Sequence, residues 1–126
     1  MRCGGAKGVR GVNYDEGGLI GTYVSQFGLP MGKGRTYLEQ IVALDVENEF
    51  RTDCEMYVKV ISRRHGITAT AVKQAIGRFL SKGWNMGYVE GWKKLIRWEK
   101  EAPPETGAAI FLICRNYRAF AKDCRE

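Results

Sequence analysis

Apolar residues recur at helical spacing along most of this chain, and no stretch alternates at period two long enough to make a strand. From Leu19 the pattern is helical, with Leu19, Ile20, Tyr23, Val24 and Phe27 on one face; Gly28 offers a left-handed stop and Pro30 prevents continuation. A second helix is predicted from about Gly34 to Phe50, with Tyr37, Leu38, Ile41, Val42, Leu44 and Phe50 inward and Glu39, Gln40, Glu47 and Asn48 wet. Thr52 to Glu55 reads as a capping box that opens a third helix, whose inner positions are Tyr57, Val60 and Ile61. That helix stops at Gly66, and Ile67 plugs the turn. Thr68 then caps a fourth helix with Val72, Ala75, Ile76, Phe79, Leu80 and Trp84 inside. Shorter apolar runs follow at residues 90–98 and, after the break at Pro103-Pro104, from Glu105 through Phe120. The fold expected is all-α, about six helices around a helix-turn-helix, and unlike a winged helix.

The outer face of the fourth helix carries Thr70, Ala71, Lys73, Gln74, Gly77, Arg78, Ser81 and Lys82. A helix-turn-helix needs a tight turn so that its second helix can enter a groove about 12 Å wide. Gly66 supplies the positive φ angle such a turn asks for, and Ser62 is small enough to let the two helices approach. Gln74 matches the paired donor and acceptor of adenine, and Arg78 or Lys73 the two acceptors of guanine; Thr70 and Ala71 suit a thymine methyl. Gly77, costly within a helix, is read as a place for close approach to a base or phosphate, with drift as the plainer explanation. Lys33, Arg35, Lys59, Arg63, Arg64, Thr68 and Lys82 are assigned to phosphates, which supply affinity rather than sequence reading. An ordinary packed helix pair with a solvated face carries the same pattern, so the motif alone does not decide between the two.

Charge tips the balance. The net charge is +6 over 126 residues, and its layout is uneven: acids crowd residues 39–55, whereas cations dominate from Lys59 to Lys100. Cations gathered on one part of a fold are the footprint of a polyanion partner. Residues 1–14, rich in glycine with Lys7 and Arg10, are read as a flexible basic arm, and residues 15–126 as one helical domain. No apolar run approaches the roughly 18 residues of a membrane span, and none follows Met1 as a secretory signal would, so a cytoplasmic location is expected. Cys3, Cys54, Cys114 and Cys124 form no Cys-x-x-Cys pair and His65 is the sole histidine. The cysteines are therefore read as small apolar fillers rather than zinc ligands or disulfides.

Several of these residues stand together in a way that resembles a known family. Phe27-Gly28-Leu29-Pro30, Lys33-Gly34, Tyr37-Leu38 and Ile41, followed by Ile61, Thr68-Ala69, Val72, Ala75-Ile76 and Trp84, are similar to the C-terminal effector domain of the stage zero sporulation protein A family of response regulators. The likeness begins near residue 17 and fades after about residue 91, although Leu95 and the helix after Pro104 still fit. It implies a six-helix effector fold that binds promoter DNA as a dimer and contacts RNA polymerase. The family's recognition-helix identities are not retained at Ala71, Lys73, Gln74, Gly77 and Arg78, so its operator is not carried over. Its phosphorylatable receiver domain is absent from these residues.

Other signals lead nowhere chemical. Gly28 to Gly34 has too few residues between its glycines for a phosphate-binding loop, and Gly34 stands where Ser or Thr would bind Mg²⁺. His65 has no partner carboxylate or nucleophile at an interpretable spacing and is read as a surface or phosphate-touching residue. Trp84, Trp92 and Trp98 fall at helical spacing beside Leu80 and Leu95, which suits a core better than a base-stacking platform. Neither an enzyme nor a cofactor is expected. The function expected is a sequence-specific regulator of transcription on double-stranded DNA; the alternatives are a protein-interaction module of the same fold, docking on RNA polymerase or a regulator, and a single-strand binder using exposed tryptophans.

Overall fold

The computed structural model describes residues 12–29 and 31–125, with side chains from 18 to 124. It is all-helical: α1 (Val12–Val24), α2 (Lys33–Glu47), α3 (Cys54–His65), α4 (Ala69–Asn85), the short α5 (Val89–Gly91) running into a π-helical turn (Trp92–Ile96), and α6 (Thr106–Arg125). Among the described residues there is no strand. Most of the expected basic arm, residues 1–11, lies outside the described residues, as does Pro30; α1 is already helical at Val12, upstream of Leu19.

The inward positions of each helix meet in one core. Tyr23, Val24 and Phe27 from α1 and its end pack with Leu38, Ile41 and Val42 of α2, Ile61 of α3, Val72 and Ile76 of α4, and Ile110, Ile113 and Tyr117 of α6. Helix α6 touches every longer helix and the π turn, which makes it the spine of the domain. Trp92, the first residue of the π turn, is fully buried, edge-on to Phe27 with centroids 5.2 Å apart, while Trp84 and Trp98 are half-buried against the same core. The tryptophans therefore stabilise the fold.

Local signals place the ends of α3 and α4. Gly66 takes φ 65°, a left-handed C-cap, and the Ile67 N–H donates to the Ser62 carbonyl at 3.0 Å. Thr68 caps α4 by accepting from the Ala71 N–H at 3.0 Å. The start of α3 differs from expectation. Asp53, not Thr52, is the cap, accepting from the Met56 N–H at 3.2 Å. Thr52 turns inward instead, with its N–H and hydroxyl both on the Asp45 carboxylate. Val58 fills a further inner position that the period does not single out, and Val60 is half-buried against the same core. Helix α2 ends at Glu47, so Phe50 belongs to the loop, half-buried under the Arg118 guanidinium. Gly28 is also not a left-handed stop; it is buried where a Cβ would lie 2.8 Å from the Phe79 ring.

Two core tyrosines give the fold an alkaline limit. The Tyr57 hydroxyl donates to Asp45 at 2.8 Å, and burial, reinforced by that bond, pushes its pKa up to about 12. Tyr23, donating to the Ile113 carbonyl, is raised further, chiefly by burial. A neutral phenol is thus favoured in the folded state, and between an unfolded pKa near 10 and the folded value the unfolded chain binds fewer protons. Stability should be full below pH 10 and fall as pH climbs towards 12. Urea unfolding of Tyr57→Phe should show a shallower loss over that window than the parent protein; equal slopes would contradict this origin.

Candidate nucleic-acid interface

Helix α4 is 17 residues long and contains no acidic residue. Its apolar stripe is buried, which forces Thr70, Lys73, Gln74, Arg78, Ser81 and Lys82 outward, and all are exposed. Thr70, Gln74, Arg78 and Lys82 follow each other at intervals of four, a face about 18 Å long at 1.5 Å per residue. The face is rigid because its base is: Val72 and Ile76 are wholly buried, and α4 makes its most extensive packing with α2. Lys59, Arg63 and Arg64 are exposed on α3, Lys33 is exposed at the first residue of α2, and Thr68 is exposed at the α4 cap. Arg63 and Arg64 also sit in the last turn of α3, where cations favour the negative end of the helix dipole.

Three of the residues expected at the interface are placed otherwise. Arg35 is folded inward: its Nε pairs with Glu39 at 2.7 Å and its Nη2 donates to the Gly21 carbonyl at 3.1 Å, tying α2 to α1. It serves the fold and is not free to hold a phosphate. Gly77 is half-buried against α6, where a Cβ would stand 2.7 Å from the Thr106 Oγ1. Helix packing, not approach to a base, accounts for that glycine. Ala71 is half-buried beside the cap. Lys73 is exposed, but its Nζ lies 3.9 Å from Glu55 of α3, a long surface pair worth little in water.

Folding also redistributes the acidic run of residues 39–55. Glu39 is taken by Arg35 and Asp45 is buried among hydroxyl and amide donors, leaving Glu47, Glu49, Asp53 and Glu55 exposed. His65 packs on Tyr37, with ring centroids 4.9 Å apart and planes tilted by 57°, and its Nε2 is 3.0 Å from the Gln40 Oε1. This surface contact links the end of α3 to α2.

Two features went unread in the sequence. Lys33, Arg78 and Lys82, drawn from two helices, line a single cleft with Leu29, Met31 and Phe79. On α6, Phe111, Arg115, Arg118 and Lys122 are all exposed, and the Arg115 guanidinium lies 5.8 Å from the Phe111 ring centroid. The second was legible as a 4-3-4 spacing; the first needed the fold.

The groups whose acidity is displaced all lie in or against the core. Besides the two tyrosines, Cys54 and Cys114 share a thiol hydrogen bond between the start of α3 and α6, which lowers the pKa of Cys54 and, with burial, raises that of Cys114. Among the described residues no group of His, Cys, Asp and Glu is arranged to hold a metal ion, and no helix is long and apolar enough to cross a membrane. No family model, curated protein or solved structure matches the chain.

Proposed function

We propose that this chain is a sequence-specific double-stranded-DNA-binding regulator of transcription that reads the major groove with α4. The observation that carries the reading is the outward face of α4, where Gln74, Arg78 and Lys82 stand exposed on a helix without a single acid. The left-handed Gly66 and the Thr68 cap form the short turn from α3 that a helix-turn-helix uses. The resemblance to the sporulation effector domain family adds a homodimer on DNA and contact with RNA polymerase to the proposal, and a cytoplasmic location is proposed alongside them. Catalysis and a cofactor have no part in it.

Selection from a random duplex pool, followed by fluorescence anisotropy, tests it. Gln74→Ala and Arg78→Ala should each cost about 1–3 kcal/mol of binding and relax preference at one position. Lys59→Ala or Arg64→Ala should weaken all duplexes alike and reduce the salt slope by about one. Absence of duplex affinity in the intact protein at low salt would end the proposal.

Phe111 favours a second reading, a protein-interaction module. It is one of few large apolar side chains exposed among the described residues, and Arg115, Arg118 and Lys122 follow it, all exposed, on α6. Aromatic and arginine side chains together are typical anchors of protein interfaces. Phe111→Ala should leave DNA binding unchanged under the first reading and abolish capture of a protein partner under the second.

A further inference from the structure

The cleft between the start of α2 and the outer edge of α4 measures about 460 Å³, within the range of small-molecule sites. Leu29, Met31, Ala75 and Phe79 give it a mainly apolar wall, and Lys33, Arg78 and Lys82 supply its cations. Gly32 and Gly34 complete the wall with bare backbone. Gly32, at φ 109°, caps α2 without a side-chain acceptor, and the first turn of α2 has no acidic residue. The first-turn N–H groups and Lys33 are thus left beside the cleft with no built-in anion.

Each simple occupant leaves half of this surface unmatched. A DNA phosphate suits the cations but leaves Met31, 70% exposed, and its apolar neighbours wet. A hydrocarbon covers the apolar wall and strands the charges. We propose that the cleft binds a small amphiphilic anion, an acyl or aryl body ending in a carboxylate or phosphate, and that its occupancy weakens duplex binding by engaging Arg78 and Lys82. The second half rests on the DNA-binding reading above.

Calorimetric titration with decanoate and decyl phosphate, below their micelle concentrations, tests the cleft, with decanol and inorganic phosphate as controls bearing one feature each. One-to-one binding by an anion, about tenfold or more tighter than either control, is expected, and the tighter of the two anions identifies the head group. Met31→Glu adds a like charge at an exposed position, and Arg78→Gln with Lys82→Gln removes two partners; each should weaken binding about tenfold. Absence of saturable binding, decanol binding as tightly as the anions, or insensitivity to Met31→Glu would overturn the assignment. In the second arm, saturating ligand should raise the Kd for the selected duplex about fivefold or more, a coupling of ordinary size. An unchanged Kd overturns the coupling alone. If the protein binds no duplex, the coupling falls together with the DNA reading, while the ligand isotherm still decides the cleft.

Discussion

Gly34→Ala should destabilise the fold by about 3 kcal/mol, lowering the melting temperature by about 10 °C for a domain of this size. Gly34 is buried in the first turn of α2 where α4 crosses it. A Cβ there would overlap the Ala75 carbonyl oxygen and lie 2.8 Å from the Phe79 Cβ. Neither neighbour is the free end of a flexible side chain, so the two helices would have to separate. Alanine's better helix propensity offers at most about 1 kcal/mol in return, so the steric term decides the sign. The same substitution at Gly21, within α1, should do the opposite. Its Cβ would meet Arg35 at an ordinary 3.7 Å, and a gain of about 0.5–1 kcal/mol is expected. Urea unfolding of the two variants checks both, and a stable Gly34→Ala protein would contradict the α2–α4 contact. That crossing also brings Lys33, Arg78 and Lys82 to one cleft, so partial separation should weaken the proposed DNA and amphiphile binding together.

Helical period alone was enough to place α2, α3, α4 and α6 and most of the core. The turn at Gly66, Ile67 and Thr68 was legible because its signals act within a few residues of one another. The exposure of Lys73, Gln74, Arg78 and Lys82 followed from the same period, since burying one stripe of α4 fixes the opposite one. Arg35 and Gly77 were misassigned for one shared reason. A helix read alone presents a full outer arc, and only the fold shows that α1 draws in the first and α6 covers part of the second. Gly28, Gly34 and Gly83 were opaque likewise, because a glycine that permits close approach differs from a turn glycine only in what it approaches. The π turn after α5 has no counterpart in the periodicity, which fits an uninterrupted helix over residues 90–98 equally well.

Asp45 was the deepest omission, and its removal should have the other large effect. The loop between α2 and α3 holds Glu49, Phe50 and Thr52 at φ 59°, 62° and 55°, left-handed angles that cost a side-chain-bearing residue about 1 kcal/mol or more each. Such angles persist only where the surroundings fix them. Asp45, 1% exposed, does so: its carbonyl accepts from the Phe50 N–H at 2.7 Å, and its carboxylate from the Thr52 N–H at 2.6 Å and the Tyr57 hydroxyl at 2.8 Å. Asp45→Ala leaves those side-chain-bound donors buried without an acceptor and should cost about 3 kcal/mol. Asp45→Asn should cost about 1 kcal/mol or less, because both short bonds end on Oδ1, which the amide keeps. The new Nδ2 can donate to the Thr52 Oγ1, now 3.2 Å from Oδ2, and that hydroxyl can turn to the Phe50 carbonyl at 3.4 Å. On this expectation the energy of the site resides in its acceptors rather than in its charge, and the asparagine also avoids the cost of burying a carboxylate. Denaturant unfolding of the pair separates the two contributions. Equal, large losses in both variants would show that charge is what the loop requires, and the start of α3, which packs on α4, would then depend on a buried anion.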